Sequence, residues 1–199
     1  MQDGSCDPGD VDPITLEPPR HPLPMRCVTA TGGVSTLCFD IGSLMQLLTR
    51  HVAREGASPT SDLVTPLLNP LNRQPFTERQ ITRLRLAFNA LPALDRASII
   101  LDTMREVSQP NLDIRVFIHT SVGDPSAVAV EWRYYPEDNV FERSLFEWEQ
   151  GEWTPTGLVI PMPADVAGAL ANDLASPDWV ADLIVVRPWS QQRYFGFWF

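Results

Sequence analysis

Lysine is missing from this chain: all 15 basic residues are Arg. The bias fits a GC-rich coding sequence, which favours Arg, Ala and Pro. Cysteine is scarce, with Cys6, Cys27 and Cys38 alone and no CxxC pair. An odd, sparse set fits free, buried or half-buried thiols in a reducing compartment better than a disulfide framework. His21, Cys27, Cys38 and His51 could supply four zinc ligands, but their spacing matches no compact zinc motif, so no metal site is expected. No apolar run reaches the roughly 18 residues of a membrane span. The start, Met1-Gln2-Asp3-Gly4, lacks the basic and apolar stretches of a signal peptide. These absences lead to the expectation of an intracellular protein, cytoplasmic or nuclear, with no membrane partner.

A basic stripe is also lacking. The net charge is −10, with 12 acidic residues against 10 Arg up to residue 110 and 13 against 5 from residue 111 onward. That balance argues against nucleic acid or an anionic membrane as partner. No G-x-S-x-G, P-loop or Rossmann fingerprint occurs, and His119 with Asp113 or Asp124 has no nucleophile at a recognisable motif. No catalytic residue and no cofactor is expected. No internal repeat is visible.

What is present suits a globular chain: 199 residues, 44% hydrophobic and 20% charged. This is enough for one large domain or two small ones. Nineteen prolines, gathered near the N-terminus and at the joints, imply short elements and many turns. Residues 1–11 read as a flexible tail and 13–26 as a proline-rich loop. Val28 to Thr31 and Ser35 to Cys38 flank Gly32-Gly33 as a short hairpin. Asp40 stands where it can cap a helix carrying Ile41, Leu44, Leu47, Leu48 and Val52 at helical spacing. Leu63 to Leu68 is a short apolar stretch. Thr77 and Gln80 have the form of a capping box for a helix with Ile81, Leu84, Phe88 and Leu91. A further helix is expected from about Leu94 to Val107. Beyond a boundary near Gln109-Pro110 the pattern turns to strands: DIRVFIH, AVAVEWRYY, a strand pair around Gln150-Gly151, Leu158 to Pro161, and ADLIVVRP, with one helix over 164–175. Most of the Trp residues read as core. The aromatic end, YFGFWF, is expected to fold back as a last strand.

Three segments in the first half occur in a telling order: DPITLEP at 12–18, FDIGSLMQLL at 39–48 and PLNRQPFT at 70–77. This order resembles the U-box, the zinc-free relative of the RING domain found in ubiquitin ligases, over residues 12–91. In that family a loop with a Pro-Ile-Thr/Ser-x-Glu core precedes a hairpin, an aromatic-acidic pair opens the central helix, and a Pro-x-Thr/Asn-Arg-x-Pro-Leu/Phe loop leads to a closing helix. Ile14, Thr15, Leu16 and Glu17 match the first loop. Phe39 and Asp40 match the pair, and Pro70, Asn72, Arg73, Pro75 and Phe76 match the second loop. The chain departs from the pattern in the longer stretches between Glu17 and Phe39 and between Leu48 and Pro70, and in Asp12, where many members have Cys.

The resemblance implies an α+β fold. A U-box-like domain over 12–109 would hold a small hairpin, a central helix and C-terminal helices, followed by a small α+β interaction domain over 110–199. It also implies a function: two loops that dock a ubiquitin-conjugating enzyme through Ile14, Leu16, Leu47, Pro70 and Arg73. The second domain would hold a protein substrate. Such a ligase acts by positioning, with no covalent intermediate. Freedom from Lys, the usual acceptor of self-modification, agrees with it. The rival is a non-catalytic structural or assembly protein that keeps a U-box-like fold.

Overall fold

The computed structural model describes residues 5–29, 32–55, 67–109, 112–120, 127–150, 152–175, 179–186 and 193–198. It is a mixed α+β fold with four helices and two antiparallel sheets among these residues. The stretch from Leu63 to Thr65, with Pro66 before Leu67, lies outside them, as do Pro110 and Gly151 at the expected boundary and turn.

The hairpin is longer than its sequence suggests. Strand β1 (Pro22–Val28) pairs with β2 (Val34–Asp40) from Pro22↔Asp40 to Val28↔Val34. Prolines had marked the first of these strands as loop. They fit because Pro22 and Pro24 share the parity whose backbone points away from β2, where no N–H is needed. Leu23, Met25 and Cys27, of the other parity, bond β2 and are buried. The same parity as the prolines turns the carbonyls of Arg26 and Val28 outward, where Gln80 Nε2 (2.8 Å) and Asn72 Nδ2 donate to them.

Helix α1 (Ile41–Glu55) starts directly after β2. Asp40 Oδ1 accepts from the backbone N–H of Gly42 (2.8 Å) and Ser43 (3.3 Å), the expected cap. A Cβ at Gly42 would stand 2.9 Å from that oxygen, so the glycine makes room for the cap. Ile41, Leu44, Met45, Leu48 and Val52 form the buried stripe. Helix α2 (Glu78–Asn89) opens with the Thr77/Gln80 capping box read from the sequence. Helix α3 (Ala93–Val107) follows Pro92 and buries Ala97, Ile100, Leu101, Met104 and Val107.

The large sheet contains β3 (Asp113–Thr120), β4 (Val128–Tyr135), β5 (Val140–Glu149), β6 (Glu152–Ile160), β7 (Trp179–Val186) and β8 (Arg193–Trp198) in the order β6-β5-β4-β3-β7-β8. Leu158 to Ile160, expected as a separate strand, continues β6. Helix α4 (Val166–Leu174) carries the chain from edge strand β6 to β7, on the far side of β3. The chain end pairs with β7 as β8.

One face of the sheet packs on α3 and α4. Ile114, Val116, Ile118, Val130, Trp132, Tyr134 and Phe141 belong to the same buried cluster as Ile100, Met104 and Leu170. That cluster also contains Phe39, Leu44 and Leu48, so a single core runs across the expected boundary near Gln109. α3 lies against both α1 and α4 and joins the two halves. Asp173 of α4 ties the layers: it accepts from Trp132 Nε1 (2.8 Å) and from both arms of the Arg143 guanidinium.

The other face curls on itself. Phe117 of β3 stacks edge-on against Trp153 of β6 with ring centroids 5.4 Å apart. In a flat sheet these strands would lie about 14 Å apart. Long aromatic side chains and a register shift between Ser144 and Phe146 close the gap.

The expectation of three free thiols is corrected. Cys6 and Cys38 form a disulfide, which ties the stretch read as a tail to β2. Cys27 alone is free, and it is buried.

Candidate functional site: two congruent loops

Residues 12–17 and 69–74 adopt the same loop. The first residue of each, Asp12 or Asn69, receives the backbone N–H of the fifth residue: Leu16 N to Asp12 O at 2.8 Å, Arg73 N to Asn69 O at 2.9 Å. Its own N–H returns to the carbonyl of the sixth, Glu17 (2.8 Å) or Gln74 (2.9 Å). Its side-chain oxygen accepts from the third, Ile14 N at 3.2 Å or Leu71 N at 3.0 Å, as an Asx turn. The fourth residue's side chain accepts from the sixth N–H: Thr15 Oγ1 from Glu17 at 3.4 Å, Asn72 Oδ1 from Gln74 at 2.9 Å. The fifth residues are left-handed, Leu16 at φ 61° and Arg73 at φ 58°. The shared pattern is Asp/Asn-Pro-Ile/Leu-Thr/Asn-x-Glu/Gln-Pro, an internal repeat that sequence reading missed.

Each loop has its own anchor. Asp12 is fully buried and accepts further from Thr15 Oγ1 (3.1 Å) and Ser43 Oγ (2.6 Å), which fixes loop one to the first turn of α1. Loop two is held by the Asn72 bond to Val28, by the Leu68↔Pro75 bridge and by Phe76, whose ring meets Phe39 edge-on at 6.0 Å. Loop one therefore joins near the Pro22/Asp40 end of the hairpin and loop two at the Val28 end, about 20 Å further along the strand. The bonds that anchor the two loops run through α1 and the hairpin.

Of the five expected contact residues, Leu16 is 74% exposed, and Pro70 and Arg73 are exposed. Ile14 and Leu47 are half-buried and rest on the core. Leu47 lies one helical turn beyond Ser43, the anchor of loop one, and so on the same side of α1. Arg73 makes no ion pair among the described residues. Leu71, at 53% exposure, holds in loop two the place of Ile14 in loop one. The repeat alone could have found it.

Beside loop two is a cleft of about 230 Å³ whose lining includes Arg26, Cys27, Asn69, Asn72, Arg79 and Arg83. Burial raises the Cys27 pKa, against a smaller lowering by its hydrogen bond with Asn69. The thiol there stays protonated and poorly nucleophilic. The Thr15 hydroxyl bonds the fully buried Asp12 carboxylate as part of the loop's own bond network. What the two loops offer is contact: an exposed leucine tip, a guanidinium and two prolines.

In the second half His119 does not pair with Asp113, and Asp124 lies outside the described residues. Its Nε2 meets Asp182 Oδ2 at 3.1 Å and its Nδ1 meets the Thr120 carbonyl at 2.8 Å. The hydrogen bond with Asp182 is the main cause of a raised pKa, against burial. Two acceptors on one ring favour the doubly protonated form. No hydroxyl or thiol bonds the ring among the described residues. Asp113 instead stands 2.8 Å from Arg115 Nη2 and 2.9 Å from Arg133 Nε, with Glu131 on the other side of Arg115 at 3.2 Å. No helix among the described residues is long and apolar enough to cross a membrane.

No protein-family model, no curated protein and no solved structure matches the chain.

Proposed function

We propose that this chain is a U-box-like ubiquitin-ligase module. Its two loops would dock a ubiquitin-conjugating enzyme, and its C-terminal sheet would hold a protein substrate. The observation that carries this reading is the congruence of loops 12–17 and 69–74. Two prolines, two Asx turns and a dense set of backbone bonds hold these loops rigid without a metal. Rigid loops lose little entropy on binding, which suits a docking surface. Leu16, Pro70 and Arg73 stand out from them, and a planar guanidinium such as that of Arg73 can hold several carbonyl acceptors of a partner at once.

The reading is tested by titrating isotopically labelled chain with a panel of conjugating enzymes. Amide shifts concentrated at 12–17, at 69–74 and around Leu47 are the expected result. Shifts confined to the large sheet, or none with any enzyme, would count against it and in favour of a non-catalytic assembly protein.

A further inference from the structure

The tail that leads into loop one carries a second, unrelated constellation. Cys6, Asp10 and Cys38 bring two sulfurs and a carboxylate oxygen within 4.8 Å of one another. The turn CDPGD makes this arrangement. Asp10 N–H bonds the Asp7 carbonyl at 3.0 Å, and Asp7 N–H bonds Asp10 Oδ2 at 2.8 Å. That second bond orients the carboxylate and leaves its other oxygen available, as outer partners do for metal-ligating groups. Cys38 comes from β2 and is buried, whereas Cys6 and Asp10 are half-exposed, so the cluster is open on the tail side.

We propose that Cys6, Asp10 and Cys38 form a zinc site in the reduced protein, exclusive with the disulfide. A cellular dithiol opens the bond by exchange: it gives two electrons and two protons to the Cys6 and Cys38 sulfurs and leaves as its own disulfide. Zinc then binds the two thiolates with release of both thiol protons. Zinc–sulfur bonds of about 2.3 Å at a tetrahedral angle place two sulfurs about 3.8 Å apart, a modest separation from their disulfide positions. Asp10 is the third ligand and water the fourth. The set is not the one that the sequence suggested: His21, Cys27 and His51 take no part. In either state the tail is tied to β2, by a covalent bond in one and by the metal in the other.

The test uses the full chain, reduced with a phosphine under inert gas and titrated with cobalt(II) alone, then with zinc. One cobalt per chain with thiolate-to-cobalt charge-transfer bands, displaced by one equivalent of zinc, is the expected result. The bands should persist in Cys27→Ala, vanish in Cys6→Ser and in the oxidised protein, and require at least about tenfold more cobalt in Asp10→Asn. Circular dichroism of Cys6→Ser checks that the fold is kept, since Cys6 lies outside the core. No charge-transfer band in folded, reduced protein, or a band that survives Cys6→Ser, would overturn the proposal.

Discussion

Leu16 and Arg73 occupy the same position in two copies of one loop. Each has a left-handed backbone, φ 61° and 58°, and each donates its N–H to the residue four places back, Asp12 or Asn69. Neither residue type favours this conformation, which costs a non-glycine residue about 1–2 kcal/mol. Two bulky side chains are thus held, at some expense, at the tips of two rigid loops. Retaining them there where glycine would fit better agrees with side chains kept for contact.

Glycine separates the two roles. Leu16→Gly and Arg73→Gly should leave stability unchanged or raise it by up to about 1 kcal/mol, because strain is relieved. The same variants should weaken binding of a conjugating enzyme. Thermal melts and a binding titration on the same samples check this. A clear loss of stability would mean that these side chains support the fold.

The two loops differ at their first residue, which gives a second expectation. Asp12→Ala leaves Ile14 N, Thr15 Oγ1 and Ser43 Oγ without their buried acceptor. It should cost roughly 2–3 kcal/mol in urea denaturation. Asp12→Asn keeps an oxygen in place and is the residue that loop two uses at Asn69, so it should cost less than half as much.

Asp173 offers a larger effect. Asp173→Ala strips the acceptor from buried Trp132 Nε1 and from the Arg143 guanidinium. An uncompensated charge against the core should cost about 3–5 kcal/mol. Truncation after residue 109 should be at least as damaging, since Ile100, Leu101 and Met104 of α3 share the core of the large sheet. Urea denaturation of the first variant, and light scattering and circular dichroism of the second, read these outcomes.

The His119–Asp182 pair makes stability depend on pH. The folded pKa of His119 lies above the reference value of 6.5, chiefly through its bond to Asp182. The contribution is therefore fully present below pH 6.5 and is lost as pH rises through the folded value. Denaturation midpoints measured from pH 5.5 upward should fall in the wild type. They should flatten in His119→Gln.

Much of this was legible in the sequence where one local signal decides an element. The Asp40 cap, the Thr77/Gln80 box and the stripe of Leu44, Leu48 and Val52 placed the helices, and alternation in DIRVFIH placed β3. Elements set by partners were hidden. Pro22 and Pro24 masked β1 because proline is excluded only from backbone positions that bond a neighbour, and sequence does not say which side the neighbour takes. The loop repeat went unseen because its bonds need only an oxygen at Asp12 or Asn69 and at Thr15 or Asn72, so residue identity drifts while geometry holds. The Cys6–Cys38 bond was invisible because three cysteines leave connectivity open. Four of the five expected contact residues lie in these loops, and Leu71 was missed with the repeat.

The most direct test of the docking account is an in vitro ubiquitin-chain assay with a panel of conjugating enzymes, comparing wild type with Ile14→Ala and Arg73→Ala. The account predicts chains with at least one enzyme in the wild type and their loss in both variants while circular dichroism stays unchanged. Chains with no enzyme, or chains undiminished in the two variants, would contradict it.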